Sequence, residues 1–145
     1  MNQETERNKN HIKRFYELCI NRGAMEILEE IIAPEFVGPQ GEEGPIGFAG
    51  TVQGLRKGFP DIQFQIQEIV AEADVVMVHW TWEGTHQGKA FGGYEPTNKS
   101  IHNDGMAVYH FNEGKIVRAR VQMDRLGVLQ QMGVVPANPG LPGKP

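Results

Sequence analysis

The sequence predicts an α+β domain in which helices cover one face of a curved antiparallel sheet, and three observations carry that expectation. Before Pro60 apolar residues recur at spacings of three and four, the mark of helices with one buried stripe. From Ile62 to Met123 the dominant period is two, the mark of strands. The chain has 145 residues, enough for one sizeable core and too few for two. Helices on a bent sheet do not fill its concave side, and such hollows are apolar with a few convergent polar groups.

From about Glu4 to Arg22, Ile12, Phe15, Tyr16, Cys19 and Ile20 form one helical stripe that Gly23 ends. Ile27, Leu28, Ile31 and Ile32 predict a second helix over Ala24 to Ile32, stopped by Pro34. Phe36 to Phe48, with Gly38-Pro39 and Pro45, predicts a mobile, lid-like loop. A third helix is expected over Thr51 to Phe59, with Val52, Leu55 and Phe59 inward, and Pro60-Asp61 turns the chain.

Ile62, Phe64 and Ile66 alternate with glutamines, and Ala73-Asp74 supplies a turn. Val75 to Glu83 is apolar on both faces, Val76, Val78, Trp80 and Trp82 against Val75, Met77, His79 and Thr81, as in a central strand covered twice. Glycine-rich Gly84 to Lys99 leads to a strand over Ile101 to Phe111, with His102, Asp104, Met106, Val108 and His110 on one face. Glu113-Gly114 is a hairpin signal, and Ile116 to Met123 returns antiparallel. There Val117, Ala119, Val121 and Met123 alternate with Arg118, Arg120 and Gln122, and Asp124 continues the polar face. Leu126, Leu129, Gln130 and Gly133 then fit a short glycine-closed helix, which the Asp124 carboxylate could cap. The domain is read as residues 1–135. Residues 136–145, PANPGLPGKP, hold four prolines and are read as an extended tail.

A formal net charge of -4 with no basic run excludes an electrostatic footprint for nucleic acid and makes an anionic membrane surface a poor partner. The single cysteine, Cys19, forbids an internal disulfide; with a polar N-terminus, a cytoplasmic protein is expected. The five histidines show no metal-site spacing, and there is no GxSxG elbow and no phosphate-cradling glycine motif. Acid/base chemistry in the sheet's hollow remains. Asp124 and His110 flank the Glu113-Gly114 hairpin at the parity of a polar face. If that face points inward they share a pocket with His102, Arg120 and Gln122, a substrate bridging the gap between them. Burial beside aromatic groups raises an aspartate's pKa toward the useful range. Tyr16 on its apolar stripe, and His79 and Trp80 on the central strand, complete the expected substrate-binding set; for Asp124 a plain N-cap, and for Tyr16 a plain core position, remain open.

GTHQG at Gly84 to Gly88, the Pro96-Thr97-Asn98-Lys99 turn, HFNEGKIV at His110 to Val117 and D-x-x-G-V-L-x-Q-x-G from Asp124 to Gly133 together resemble the SnoaL-like polyketide cyclase family, within the nuclear-transport-factor-like superfamily that includes ketosteroid isomerase. The resemblance spans about Asn10 to Val135. It implies a conical barrel of a bent antiparallel sheet on N-terminal helices, frequent dimerisation through the sheet, and an intramolecular aldol closure run by an aspartate near the end of the last strand, with no metal or cofactor. Asp124 matches that aspartate, His110 resembles an assisting histidine and Tyr16 a pocket tyrosine. Arg118 stands where an acidic residue is frequent, Met123 where an aromatic is frequent, and PTN replaces PTG, which bears on the substrate more than on the fold.

The expected activity is a cofactor-independent acid/base enzyme in which Asp124 removes a proton α to a carbonyl of a hydrophobic compound while His110 and Tyr16 hydrogen-bond the enolate oxygen. The alternatives are a non-catalytic small-molecule binding domain, and epoxide hydrolysis by convergence of Asp104, Arg120 and Asp124. The two-sided apolar strand further predicts a homodimer packed through the outer sheet faces.

Overall fold

The computed structural model describes residues 2–90 and 93–136; the expected tail from residue 137 onward lies outside them. Asn2 caps the first helix, α1 (Gln3–Arg14), through Thr5 N. The chain then widens into a π-helical turn over Phe15–Ile20, closed by Asn21 N donating to Tyr16 O at 3.0 Å. The wider turn sends Phe15, Tyr16, Cys19 and Ile20 all inward, where a regular α-helix would rotate part of the set away.

The expected second helix is shorter than its apolar pattern. A 3₁₀ turn (Met25–Ile27) and one α-turn, α2 (Leu28–Ile31), give way at Ile32 to a strand, β1 (Ile32–Val37), which the sequence reading missed. Its Pro34 is tolerated because β1 is an edge strand. The expected lid is likewise part strand and part helix: α3 runs Gly44–Gly58, with Pro45 in its first turn where a missing N–H costs nothing.

β2 (Gln63–Glu72), β3 (Val75–Thr85), β4 (Ser100–Asn112) and β5 (Lys115–Met123) form the expected meander, and β1 adds in parallel to β5, giving the order β1-β5-β4-β3-β2. The sheet is curved but unclosed. Two irregularities set which side chains face the helices. One between Ile66 and Glu68 changes the parity of β2, so that Phe64 and Ile66 point inward and then Ile69 and Ala71 do. The other pairs His110 with Arg118 but Phe111 with Ile116, leaving Val117 as the extra residue. The inward row is therefore Val76, Val78, Trp80 and Trp82 on β3, Ile101, Asn103, Gly105, Ala107, Tyr109 and Phe111 on β4, and Ile116, Ala119, Val121 and Met123 on β5. α4 (Arg125–Met132) closes the described chain, capped by Asp124 at one end and by left-handed Gly133, φ 81°, at the other.

Candidate functional site

The concave face is lined by an aromatic cluster with a polar centre. The Tyr16 and Tyr109 hydroxyls hydrogen-bond each other at 2.6 Å, one from the π-helical turn and the other from the middle of β4. Both side chains are buried, and burial pushes both phenol pKa values up, that of Tyr16 further because the Tyr109 phenol stands beside it. They remain neutral hydrogen-bond donors at any physiological pH. Phe15, Phe64 and Trp80 surround Tyr16, with ring centroids 4.9, 5.4 and 6.3 Å away. The Trp80 indole N–H is directed toward the Tyr16 oxygen closely enough to oppose the rise in its pKa, yet has no acceptor in bonding geometry. Three protons thus meet at this point. Only the one between the phenols is used, so two lack an acceptor among the described residues.

Asn103 lies on the same face, one strand over and two residues along. Its Nδ2 donates to the Asp124 main-chain O at 2.9 Å, while its Oδ1 is buried with no partner. The β4 residues opposite Trp80 and Val78 are small, Gly105 and Ala107. A Cβ on Gly105 would lie 2.6 Å from Trp80 Cη2 and 2.5 Å from Gln122 O, so glycine lets the indole lie flat against the sheet. Val121, in the inward row, is 43% exposed, whereas its partner Ala107 is 1% exposed.

The remaining expected site residues lie on the convex face. With Val117 bulged, Phe111, Tyr109 and Ala107 turn inward, and His110, His102, Arg120 and Gln122 turn outward with His79. The shared inward pocket expected for them is therefore corrected: the sequence parity was sound, but the polar row is the outer one. His110 sits six residues along β4 from Asp104, the partner of the strand end where Asp124 lies, roughly 20 Å at about 3.3 Å per residue. Arg120, four residues from Asp124, is about 13 Å away by the same measure, so Asp104, Arg120 and Asp124 do not converge as an epoxide-opening relay would need.

Asp124 is exposed at the end of β5. Its Oδ1 accepts from Gly127 N at 2.8 Å as the N-cap of α4, and its main-chain N donates to Asp104 O at 3.3 Å. It borders a convex-side depression of about 670 Å³ lined mainly by Gln63, Gln65, Thr81, Glu83, His102 and Asp104. His102, in this lining, lies 3.5 Å from Glu83, and beside the depression His79 lies 3.5 Å from Asp104 and 3.4 Å from Glu68. The structure thus brings Asp124, His79, His102 and Gln122 to one end of the sheet, and Tyr16 and Trp80 together on the opposite face. Among the described residues, no carboxylate or imidazole stands in the inward rows of β3, β4 and β5, nor does any group of His, Cys, Asp and Glu form a metal-binding cluster.

Sequence reasoning missed Tyr109, Asn103 and His86. Tyr109 and Asn103 carry the odd parity of Ile101 and Phe111, a usable signal. His86, in the GTHQG motif, is fully buried; its Nδ1 accepts from Thr97 N at 3.2 Å and so clasps the loop after β3 to the Pro96-Thr97 turn.

N-terminal helices packed on a five-stranded, curved, unclosed sheet, with an aromatic cluster on its concave face, define an α+β fold. The SnoaL-like polyketide cyclase family model matches residues 10–132, and the chain belongs to that family. It is 29% identical over 129 residues, 84% of this chain and 88% of the other, to aklanonic acid methyl ester cyclase AcmA of Streptomyces galilaeus. A solved protein assigned as a polyketide cyclase from Acidithiobacillus ferrooxidans is 30% identical, with a TM-score of 0.77 over 92% of this chain and 98% of that one. One assigned to the SnoaL-like polyketide cyclases from Jannaschia sp. CCS1 shares the fold, with a TM-score of 0.85 at 20% identity over 94% and 98% of the two chains. No helix among the described residues is long and apolar enough to cross a membrane.

Proposed function

We propose that the protein is a cyclase- or isomerase-type acid/base enzyme acting on a hydrophobic carbonyl compound bound in the concave face. The observation that carries this reading is the donor surplus at Tyr16, Tyr109 and Trp80, because a carbonyl oxygen has two lone pairs and the cluster has two unmatched protons. Donors held in a desolvated aromatic setting stabilise an enolate oxygen more than the neutral carbonyl, and so favour proton loss at the adjacent carbon. The base assigned in this reading is Asp124, whose main-chain O accepts from Asn103 Nδ2 and whose exposed carboxylate stands at the end of β5 outside the inward row, so that the ligand reaches it around the strand end. It takes the α-proton, the enolate carbon bonds to a second carbonyl carbon of the same molecule, and the resulting alkoxide takes the proton back. Atoms and charge balance without a cofactor. His110 has no part in this reading, since its side chain leaves the opposite face.

A second reading, ligand binding without chemistry, is favoured by one specific observation: the inward row of β5 offers Ala119, Val121 and Met123 and no base. Hydrogen–deuterium exchange into the C2 position of 1-tetralone, followed by NMR in D₂O, separates the two. The enzyme reading expects accelerated exchange, reduced by roughly 10²–10³ in Tyr16→Phe or Tyr109→Phe and by roughly 10²–10⁴ in Asp124→Asn with binding retained. Tight binding with no exchange above buffer would establish the second reading, and undiminished exchange in Asp124→Asn would remove Asp124 from the mechanism.

A further inference from the structure

We infer that Gly127 and Gln131 are positioning residues that mount the Asp124 carboxylate on α4, with its Oδ2 as the oxygen that takes the proton. The inference rests on the reading of Asp124 as the base and adds what aims it. Oδ1 accepts from Gly127 N at 2.8 Å, which leaves Oδ2 for proton transfer. A Cβ at Gly127 would lie 2.2 Å from Oδ2 and 2.7 Å from Cγ, so the carboxylate lies across the space that any other residue would fill. The backbone does not ask for glycine here. Gly127 is helical and has no positive φ, and within a helix glycine is less favourable than alanine. Nor does an ordinary cap ask for it, since the third helical position commonly carries glutamate or glutamine. What requires glycine is the orientation of the carboxylate.

The other end of α4 is held to the same strand. Gln131 Oε1 accepts from His102 N at 2.7 Å and its Nε2 donates to His102 O at 2.7 Å, so the amide takes a strand's place beside β4 where β5 has ended. Asp124 N donates to Asp104 O two residues along that edge, and Asn103 Nδ2 donates to Asp124 O. Cap and clamp are seven residues apart, close to two full turns, so both look toward β4. An isolated helix of eight residues does not hold itself. Val128 and Met132, both buried, keep α4 docked on the core, but apolar contacts are non-directional. The two Gln131 hydrogen bonds fix the angle of the helix, and with it the direction in which Oδ2 points. Asp124, Gly127 and Gln131, the polar and glycine positions of one short motif, thus act as a unit.

The test measures exchange at C2 of 1-tetralone in D₂O at saturating ligand on the full chain, with affinity by calorimetry and folding by thermal melting. Gly127→Ala should lower the saturated rate by about 10–100-fold, the effect of displacing a reacting group by roughly an ångström, while the tetralone Kd stays within about twofold and the Tm close to the parent's. Gln131→Leu should show the same split of rate from affinity. Gln131→Glu should lose rate near pH 7 and regain it relative to the parent as the pH falls to about 5, because a protonated carboxyl again donates to His102 O and accepts from His102 N. An undiminished rate in Gly127→Ala, or a loss that follows Kd or Tm instead, overturns the mount and leaves Asp124 as the base. A ratio of Gln131→Glu to parent that stays flat with pH removes Gln131 from it. Exchange that survives in Asp124→Asn, or a parent with no exchange above buffer, overturns both readings.

Discussion

Gly105 and Asp61 show how single residues hold the site. Gly105 faces Trp80 across the strand pair, and a methyl group there would meet Gln122 O at 2.5 Å, Trp80 Cη2 at 2.6 Å and Met123 Cα at 3.0 Å. Two of these are backbone atoms that cannot step aside cheaply, so Gly105→Ala should cost about 1–3 kcal/mol in denaturant unfolding and shift the Trp80 emission. An unchanged midpoint would mean that the β4–β5 spacing is looser than described. Asp61 works differently. Its Oδ1 accepts from Thr85 N at 2.7 Å and its Oδ2 from Thr85 Oγ1 at 2.8 Å, and these bonds, the main-chain one foremost, hold the carboxyl below its ordinary pKa. A lowered folded pKa contributes stability that is present above the unfolded value, about 4, and lost as the pH falls through the lower folded value. Asp61→Asn should therefore reduce stability at pH 7 and flatten its fall below about pH 4. An acid limb as steep in the variant as in the parent would place the titrating group elsewhere.

At the scale of elements, the junction of β5 and α4 decides how much of the site could be read in advance. The alternation from Val117 to Met123 was legible, and so was the N-cap at Asp124. Which face looked inward was not, because parity along a strand is relative and the bulge at Val117 leaves no mark in a sequence of alternating residues. The same limit hid β1. Ile27, Leu28, Ile31 and Ile32 satisfy a helical spacing, but Ile32 to Val37 finds an open sheet edge beside β5, and tertiary pairing overrides local preference. The π-helical turn that aims Tyr16 at Tyr109 is a third case, since the insertion shifts a stripe without changing which residues compose it. The capping role of Asp124 also makes its catalytic test clean. Asparagine caps nearly as well as aspartate, so Asp124→Asn should leave the melting temperature close to the parent's, whereas Asp124→Ala should cost about 1 kcal/mol. If both variants destabilised α4 equally, lost turnover in either would say nothing about proton transfer.

For the whole molecule, the long meander from β2 to β5 was legible, because strands buried on one face show period two while the helices that cover them show apolar spacings of three and four; β1, set between α2 and α3, was not. The same reasoning leaves the convex face to be covered. Val70, Met77 and Met106 stand 60%, 45% and 58% exposed on adjacent strands of that face, too large an apolar strip for a chain of this size to leave in water without consequence. Charge says what covers it. Arg118 and Arg120 lie toward one end of the strip and Asp104 and Asp124 toward the other, so a second copy turned over about an axis lying across the strands sets guanidiniums against carboxylates at both ends. We propose a two-fold homodimer closed on this strip, burying on the order of 1,200–2,000 Å². It should sediment as a dimer at micromolar concentration, and Met77→Lys should release a folded 16.2 kDa monomer. Val78→Lys, one residue along but facing the core, should unfold the domain instead, because an unpaired ammonium cannot be buried there. Arg120→Glu should weaken association, and the parent dimer should weaken as salt rises, since the paired charges lie at the rim of the interface. A parent chain that sediments only as monomer would refute the assembly, and a dimer that survives both Met77→Lys and Arg120→Glu would show that the copies meet elsewhere on the molecule.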